Sequence, residues 1–191
     1  LSVAAGATLS LSSFSQTVGV LGGAGLVDFG TGSTLNLTGG SATFSGTIAG
    51  TGTLVIGAGT TLTLAANFND PNLNIILAGG TLKLSSANLT LGNLTVTGNS
   101  ILDFGDHAAS VLNTNSLSFG NSSTQLTVNN WTNAVDYFYA QNFPGAITNA
   151  RGSTPENQIK FTGWSNANTT WQGYDHQITP VPEPATYGAL F

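Results

Sequence analysis

Gly59-Thr60-Thr61-Leu62-Thr63-Leu64 is a phrase that the chain repeats. A small residue opens it, Thr or Ser follows, and apolar and polar residues then alternate. Close copies stand at Gly6-Ala7-Thr8-Leu9-Ser10-Leu11, Gly32-Ser33-Thr34-Leu35-Asn36-Leu37, Gly80-Thr81-Leu82-Lys83-Leu84 and Ser123-Thr124-Gln125-Leu126-Thr127-Val128. Looser copies are Gly52-Thr53-Leu54-Val55-Ile56, Asn88-Leu89-Thr90-Leu91 and Asn93-Leu94-Thr95-Val96. Alternation with period two is the signature of a half-buried strand. Thr suits the outer, pleated face, and Gly and Asn between phrases tolerate the positive φ of tight corners. Copies recur roughly every eight to ten residues, the spacing of short strands joined by turns. No stretch carries a helical period with capping signals.

Two architectures suit such a ladder: an antiparallel sandwich and a parallel β-solenoid. The hairpin dipeptides Asn-Gly and Asp-Gly are missing from the repeat region, which favours the solenoid. Near-identical phrases then stack as rungs, each burying its leucines against the rung before. With about two phrases per turn the repeats predict about six rungs, each adding about 4.8 Å. The predicted inward column is Leu9, Leu11, Leu35, Leu37, Leu54, Ile56, Leu62, Leu64, Leu82, Leu84, Leu89 and Leu91.

Composition narrows the function classes. Of the 191 residues, 40% are hydrophobic and only 6% are charged. The first figure predicts a folded chain rather than a disordered one. The second leaves little repulsion between copies and so favours self-association. The net charge is −5 and the basic residues are Lys83, Arg151 and Lys160. Neutralising a phosphate backbone takes many cations, so nucleic acid is not an expected partner. Without Cys there is no disulfide framework, thiolate metal site or cysteine nucleophile. Without Met, the chain reads as a mature exported protein, although a trimmed one would look the same. No apolar stretch reaches the roughly 20 residues of a membrane helix.

The composition shifts near Trp131. All three Trp (Trp131, Trp164, Trp171) and all four Tyr (Tyr137, Tyr139, Tyr174, Tyr187) lie there or beyond. Gln158-Ile159-Lys160-Phe161 and Gln177-Ile178-Thr179 still read as strands. Open solenoids need terminal units that cover exposed edges and core, and large aromatics do this efficiently. A C-terminal cap is therefore the leading expectation. The second is a platform on which Trp131, Trp164, Trp171 and Tyr174 meet an extracellular polysaccharide or a neighbouring copy. The N-terminal end has no comparable unit. One capped and one open end predict head-to-tail association into filaments.

Chemistry-bearing residues are few. Asp103-Phe104-Gly105-Asp106-His107 holds a local cluster whose carboxylates and imidazole suit a cation, but a polar corner turned by Gly105 is the expected role. Asp175-His176 is an acid–imidazole neighbour without an identifiable nucleophile. No pair of carboxylates stands out for glycoside hydrolysis. The expectation is a protein that is not an enzyme and uses no cofactor or metal.

Val181-Pro182-Glu183-Pro184, followed by Ala185-Thr186-Tyr187-Gly188-Ala189-Leu190-Phe191, resembles the start of a PEP-CTERM sorting signal. In that family the Val-Pro-Glu-Pro block precedes an apolar span and a basic cluster, neither of which is present in full here. The resemblance implies export to the surface of a Gram-negative-type bacterium and processing by an exosortase-type enzyme. Gly50-Thr51-Gly52-Thr53-Leu54 is similar to the autotransporter-associated β-strand repeat, a family of secreted parallel β-helices. Residues 1–130 are thus expected to form the solenoid, 131–179 an aromatic-rich β cap and 180–191 a sorting tail. The expected function is a secreted structural protein of the cell surface or extracellular matrix. The alternative is a surface adhesin or glycan-binding module on the same fold.

Overall fold

The computed structural model describes residues 1–105, 109–143, 158–164, 169–171 and 175–180. They form a parallel β-solenoid of about five turns, with strands as the regular element throughout. An eight-stranded sheet runs in the order β1 (Ser2–Val3), β4 (Gly22–Gly23), β6 (Gly40–Phe44), β8 (Thr60–Leu64), β11 (Thr81–Leu84), β13 (Ser100–Asp103), β15 (Leu126–Asn129) and β17 (Ile159–Phe161). The facing nine-stranded sheet holds β2 (Thr8–Ser10), β3 (Gln16–Val18), β5 (Leu26–Leu37), β7 (Thr47–Gly57), β9 (Phe68–Asp70), β10 (Leu73–Ala78), β12 (Asn88–Gly98), β14 (Val111–Phe119) and β16 (Tyr137–Asn142). Strand pairs within both sheets are parallel, because each turn carries the chain round to the same side in the same direction.

Each turn carries one short strand in one sheet and two phrases in the other, merged into a single long strand in β5, β7, β12 and β14 and separate in β2–β3 and β9–β10. β5 is interrupted by a bulge between Asp28 and Ser33, where Gly30 and Gly32 adopt positive φ and the Ser33 hydroxyl donates to the Phe29 carbonyl. Two turns further on, the break is complete. β9 and β10 are separate strands around Pro71, yet together they lie along the single strand β12. A proline cannot donate to the ladder and so divides the strand. The sequence reading of two phrases per turn therefore undercounted by one.

The phrases stack in register. Leu35, Leu54, Ile75, Leu94 and Leu117 form one inward column, and Leu62, Leu82, Leu102, Val128 and Phe161 form another. All of these side chains are buried in one continuous core. Full burial of each is worth about 1.5–3 kcal/mol before chain entropy is subtracted. Of the twelve side chains predicted to face inward, Leu9 alone is only partly buried. It lies on β2, which is the last strand of its sheet. Phe29, Phe44, Phe104 and Phe138 are also fully buried, which widens the core beyond the leucine columns.

The parallel ladders continue beyond residue 130. β16 pairs with β14, and β17 with β15. An antiparallel ribbon then follows, β18 (Thr169–Trp171) with β19 (Ile178–Pro180). It meets β16 through an antiparallel bridge between Tyr139 and Gln177 and a bond from the Ala140 amide to the His176 carbonyl of 3.0 Å. An antiparallel partner on a parallel sheet ends the regular stacking there.

Candidate functional site

The aromatic residues divide by environment. Trp131 is 8% exposed. Phe104 meets it at 5.0 Å and 88°, and Phe161 at 5.1 Å and 74°, both edge to face. Its indole Nε1 is buried and has no hydrogen-bond partner among the described residues. Trp131 is thus a core side chain with no open ring face. Trp171 is half-buried: its Nε1 donates to the Ala140 carbonyl at 2.9 Å, and its ring packs edge-on against Phe143 at 6.5 Å. Trp164 is also half-buried against the core. Tyr174 and the sorting block Val181, Pro182, Glu183 and Pro184 lie outside the described residues.

An outward aromatic pair escaped the sequence reading. Tyr137 and Tyr139 stand two residues apart on β16, so both leave the same face of the sheet. Their rings are parallel to within 3° with centroids 5.9 Å apart, and both are partly exposed. Burial raises the Tyr139 phenol above its ordinary pKa, and Tyr137 and Asp175 add to the effect. The signal was available in Tyr137-Phe138-Tyr139, where strand alternation sends Phe138 inward and the tyrosines out.

The five described aspartates each bond a backbone amide, and of their oxygens only the second carboxylate oxygen of Asp70 is buried without a partner among the described residues. Asp28 accepts from the Gly30 amide at 2.8 Å, Asp70 from Asn72 at 3.0 Å, Asp103 from Gly105 at 2.8 Å and Asp175 from Gln177 at 3.1 Å. Each is a side chain bonding the amide two residues on, the local turn that Asp favours. Asp136, which is buried, accepts from Ser110 and Thr132 and so fixes the loop leading into β16. The five described aspartates therefore all serve corners. Asp103 also accepts from Asn130 Nδ2 at 2.7 Å and faces Lys83 at 3.8 Å, so its oxygens are engaged. Asp106 and His107, its proposed companions at a cation site, lie outside the described residues. Among the described residues, no three His, Cys, Asp or Glu side chains converge on a point where a metal could sit. His176 adopts positive φ and rests its ring on Trp171 at 5.8 Å. Its Nδ1 is buried without a partner among the described residues.

At the opposite end a groove of about 490 Å³ opens between Leu1, Leu9, Leu11, Phe14, Val18 and Leu35. Phe14 is 68% exposed there, beside the terminal strands of the nine-stranded sheet. No helix among the described residues is long and apolar enough to cross a membrane. No protein-family model, curated protein or solved structure matches the chain.

Proposed function

We propose that this β-solenoid is a secreted structural protein of a bacterial cell surface or extracellular matrix that self-assembles head to tail. The observation that carries this reading is the inequality of its two ends. The N-terminal end has strands β1, β2 and β3 at its margin and an apolar groove with Phe14 on its rim. Among the described residues, the C-terminal end is bordered by the β18–β19 ribbon, which bridges to β16 and also meets β17, the last strand of the eight-stranded sheet, where the Thr169 hydroxyl donates to the Ile159 carbonyl at 2.9 Å. Stacking one copy on the next brings the margin strands β1 and β2 and the apolar groove of one copy against the β18–β19 ribbon and β17 of the other. Such a joint uses unlike surfaces, repeats without closing and yields a filament. Sparse charge lowers the barrier to contact.

The Val181-Pro182-Glu183-Pro184 block supports export and handling by an exosortase-type enzyme. No catalytic role is assigned: the described aspartates already bond backbone amides. Negative-stain imaging and light scattering of the purified chain test the assembly. Filaments are expected, and Phe14→Asp should shorten or abolish them. Monomers alone at high concentration would overturn the proposal.

A further inference from the structure

We infer that the outward face of β16 binds a neutral polysaccharide chain. The proposal does not depend on filament formation. Tyr137 and Tyr139 present parallel rings 5.9 Å apart. This lies within the roughly 4.5–7 Å centroid range of an offset-stacked aromatic pair, so the two rings brace each other as one rigid unit. Aromatic rings offer large, rigid apolar area to the C–H faces of sugars, and the phenol adds a polar handle.

The surroundings supply the rest of a sugar site. Asn113 is the partner of Tyr139 in the register of β14 and β16, and Val111 is the partner of Tyr137. Gln177 lies opposite Tyr139 across the antiparallel bridge, so its side chain leaves the same face. Amides on either side of an aromatic pair are suited to hydroxyl groups, which both donate and accept. Further along the same outward column stand Asn69 and Thr90, in register with Asn113. This column repeats at the rung spacing of about 4.8 Å, close to the length of one hexopyranose unit. An extended chain lying along the solenoid axis would therefore meet a hydrogen-bonding side chain at each sugar and the tyrosines at its end.

The loop into β16 is held in place by its own hydrogen bonds. Asp136 bonds the amides of Ser110 and Thr132, and the Tyr137 hydroxyl reaches the Ala134 carbonyl at 3.3 Å. A prepositioned aromatic pair loses little freedom on binding. The ligand class follows from charge. Among the described residues, Lys83 and Lys160 stand on the other sheet and the charge felt by Tyr139 is the Asp175 carboxylate, which disfavours an anionic glycan and leaves a neutral one unaffected.

Affinity electrophoresis of the 191-residue protein in gels containing hydroxyethyl cellulose, laminarin or dextran tests the proposal. At least one polymer should retard the protein. Tyr137→Ala with Tyr139→Ala should weaken retardation roughly ten-fold, as loss of paired aromatic anchors does. Gln177→Ala should weaken it less, and Lys160→Ala, on the other sheet, should leave it unchanged. If the tyrosine variant does not fold, ring-proton shifts of Tyr137 and Tyr139 on adding cellohexaose or laminarihexaose to the unaltered protein decide the matter. Absence of retardation on all three polymers, or retardation indifferent to both tyrosines, would overturn the proposal. So would tyrosine substitutions that change only the oligomeric state, which would assign this face to contacts between copies.

Discussion

Gly52 lies directly against the ring of Phe29: a Cβ added to it would stand 2.3 Å from Phe29 Cδ1. The core of the early turns is filled by one large ring because the next rung offers no side chain at that point. Gly52→Ala should therefore cost about 1–3 kcal/mol through overpacking. Phe29→Leu in the same chain should recover part of that loss, so the double variant should be less destabilised than the two single costs combined. Thermal unfolding of the four proteins measures the coupling, and strict additivity would show that the two sites are independent.

Leu62 and Thr63 are neighbours in sequence with opposite surroundings. Leu62 is 1% exposed in the inward column, and Thr63 faces out beside Lys83. Leu62→Asp buries an unpaired charge and should unfold the stack or cost several kcal/mol, on the order of 3–5. Thr63→Asp should change stability by about 0.5 kcal/mol or less. Comparable losses in melting temperature would contradict the assigned facing.

Trp131 fills space between Phe104 and Phe161, and its indole nitrogen has no hydrogen-bond partner among the described residues. Trp131→Phe should cost less than about 1.5 kcal/mol, because it removes an unpaired donor along with some volume. Trp131→Ala should cost about 3–5 kcal/mol through the cavity it leaves. Denaturant titrations distinguish the two; equal costs would mean that Nε1 has an important partner.

The Tyr139 phenol is raised above 10.0 by burial, with Tyr137 and Asp175 contributing. The neutral phenol is favoured in the folded state. Its contribution is complete below the unfolded value and is lost as pH climbs through the folded one. Stability should thus fall on the alkaline side of about pH 10, where the unfolded chain ionises first. Tyr139→Phe should flatten that fall, and ultraviolet titration should show one tyrosine ionising late.

Asp103 shows how the scarce charges are used. Its pairing with Lys83 at 3.8 Å is partly exposed, so Lys83→Ala should cost less than about 1 kcal/mol. Its bonds to the Gly105 amide and Asn130 hold a corner, so Asp103→Ala should cost more, about 1–2 kcal/mol. Asp103→Asn, which keeps an acceptor oxygen, should fall between them. The order of melting temperatures checks this.

The corner aspartates were legible only in part. Asp28-Phe29-Gly30 and Asp103-Phe104-Gly105 carry an acid two residues before Gly, a recognised turn signal. Asp136 carries no such signal, since its bond to the Ser110 amide joins residues far apart in the chain. Likewise Tyr137 and Tyr139 were visible as a pair on one strand, while the partners that make them a site, Asn113 and Gln177, come from other strands.

The sequence by itself determined the parallel stacking and the identity of nearly all inward leucines. Period-two alternation and a repeated phrase are local properties that survive reading one residue at a time. It did not determine that two phrases merge into one interrupted strand, that Trp131 turns into the core, or how the C-terminal end is closed. Those outcomes depend on which surfaces remain to be covered once the turns have stacked. The antiparallel ribbon beside β16 answers an exposed strand edge that exists only in the folded solenoid.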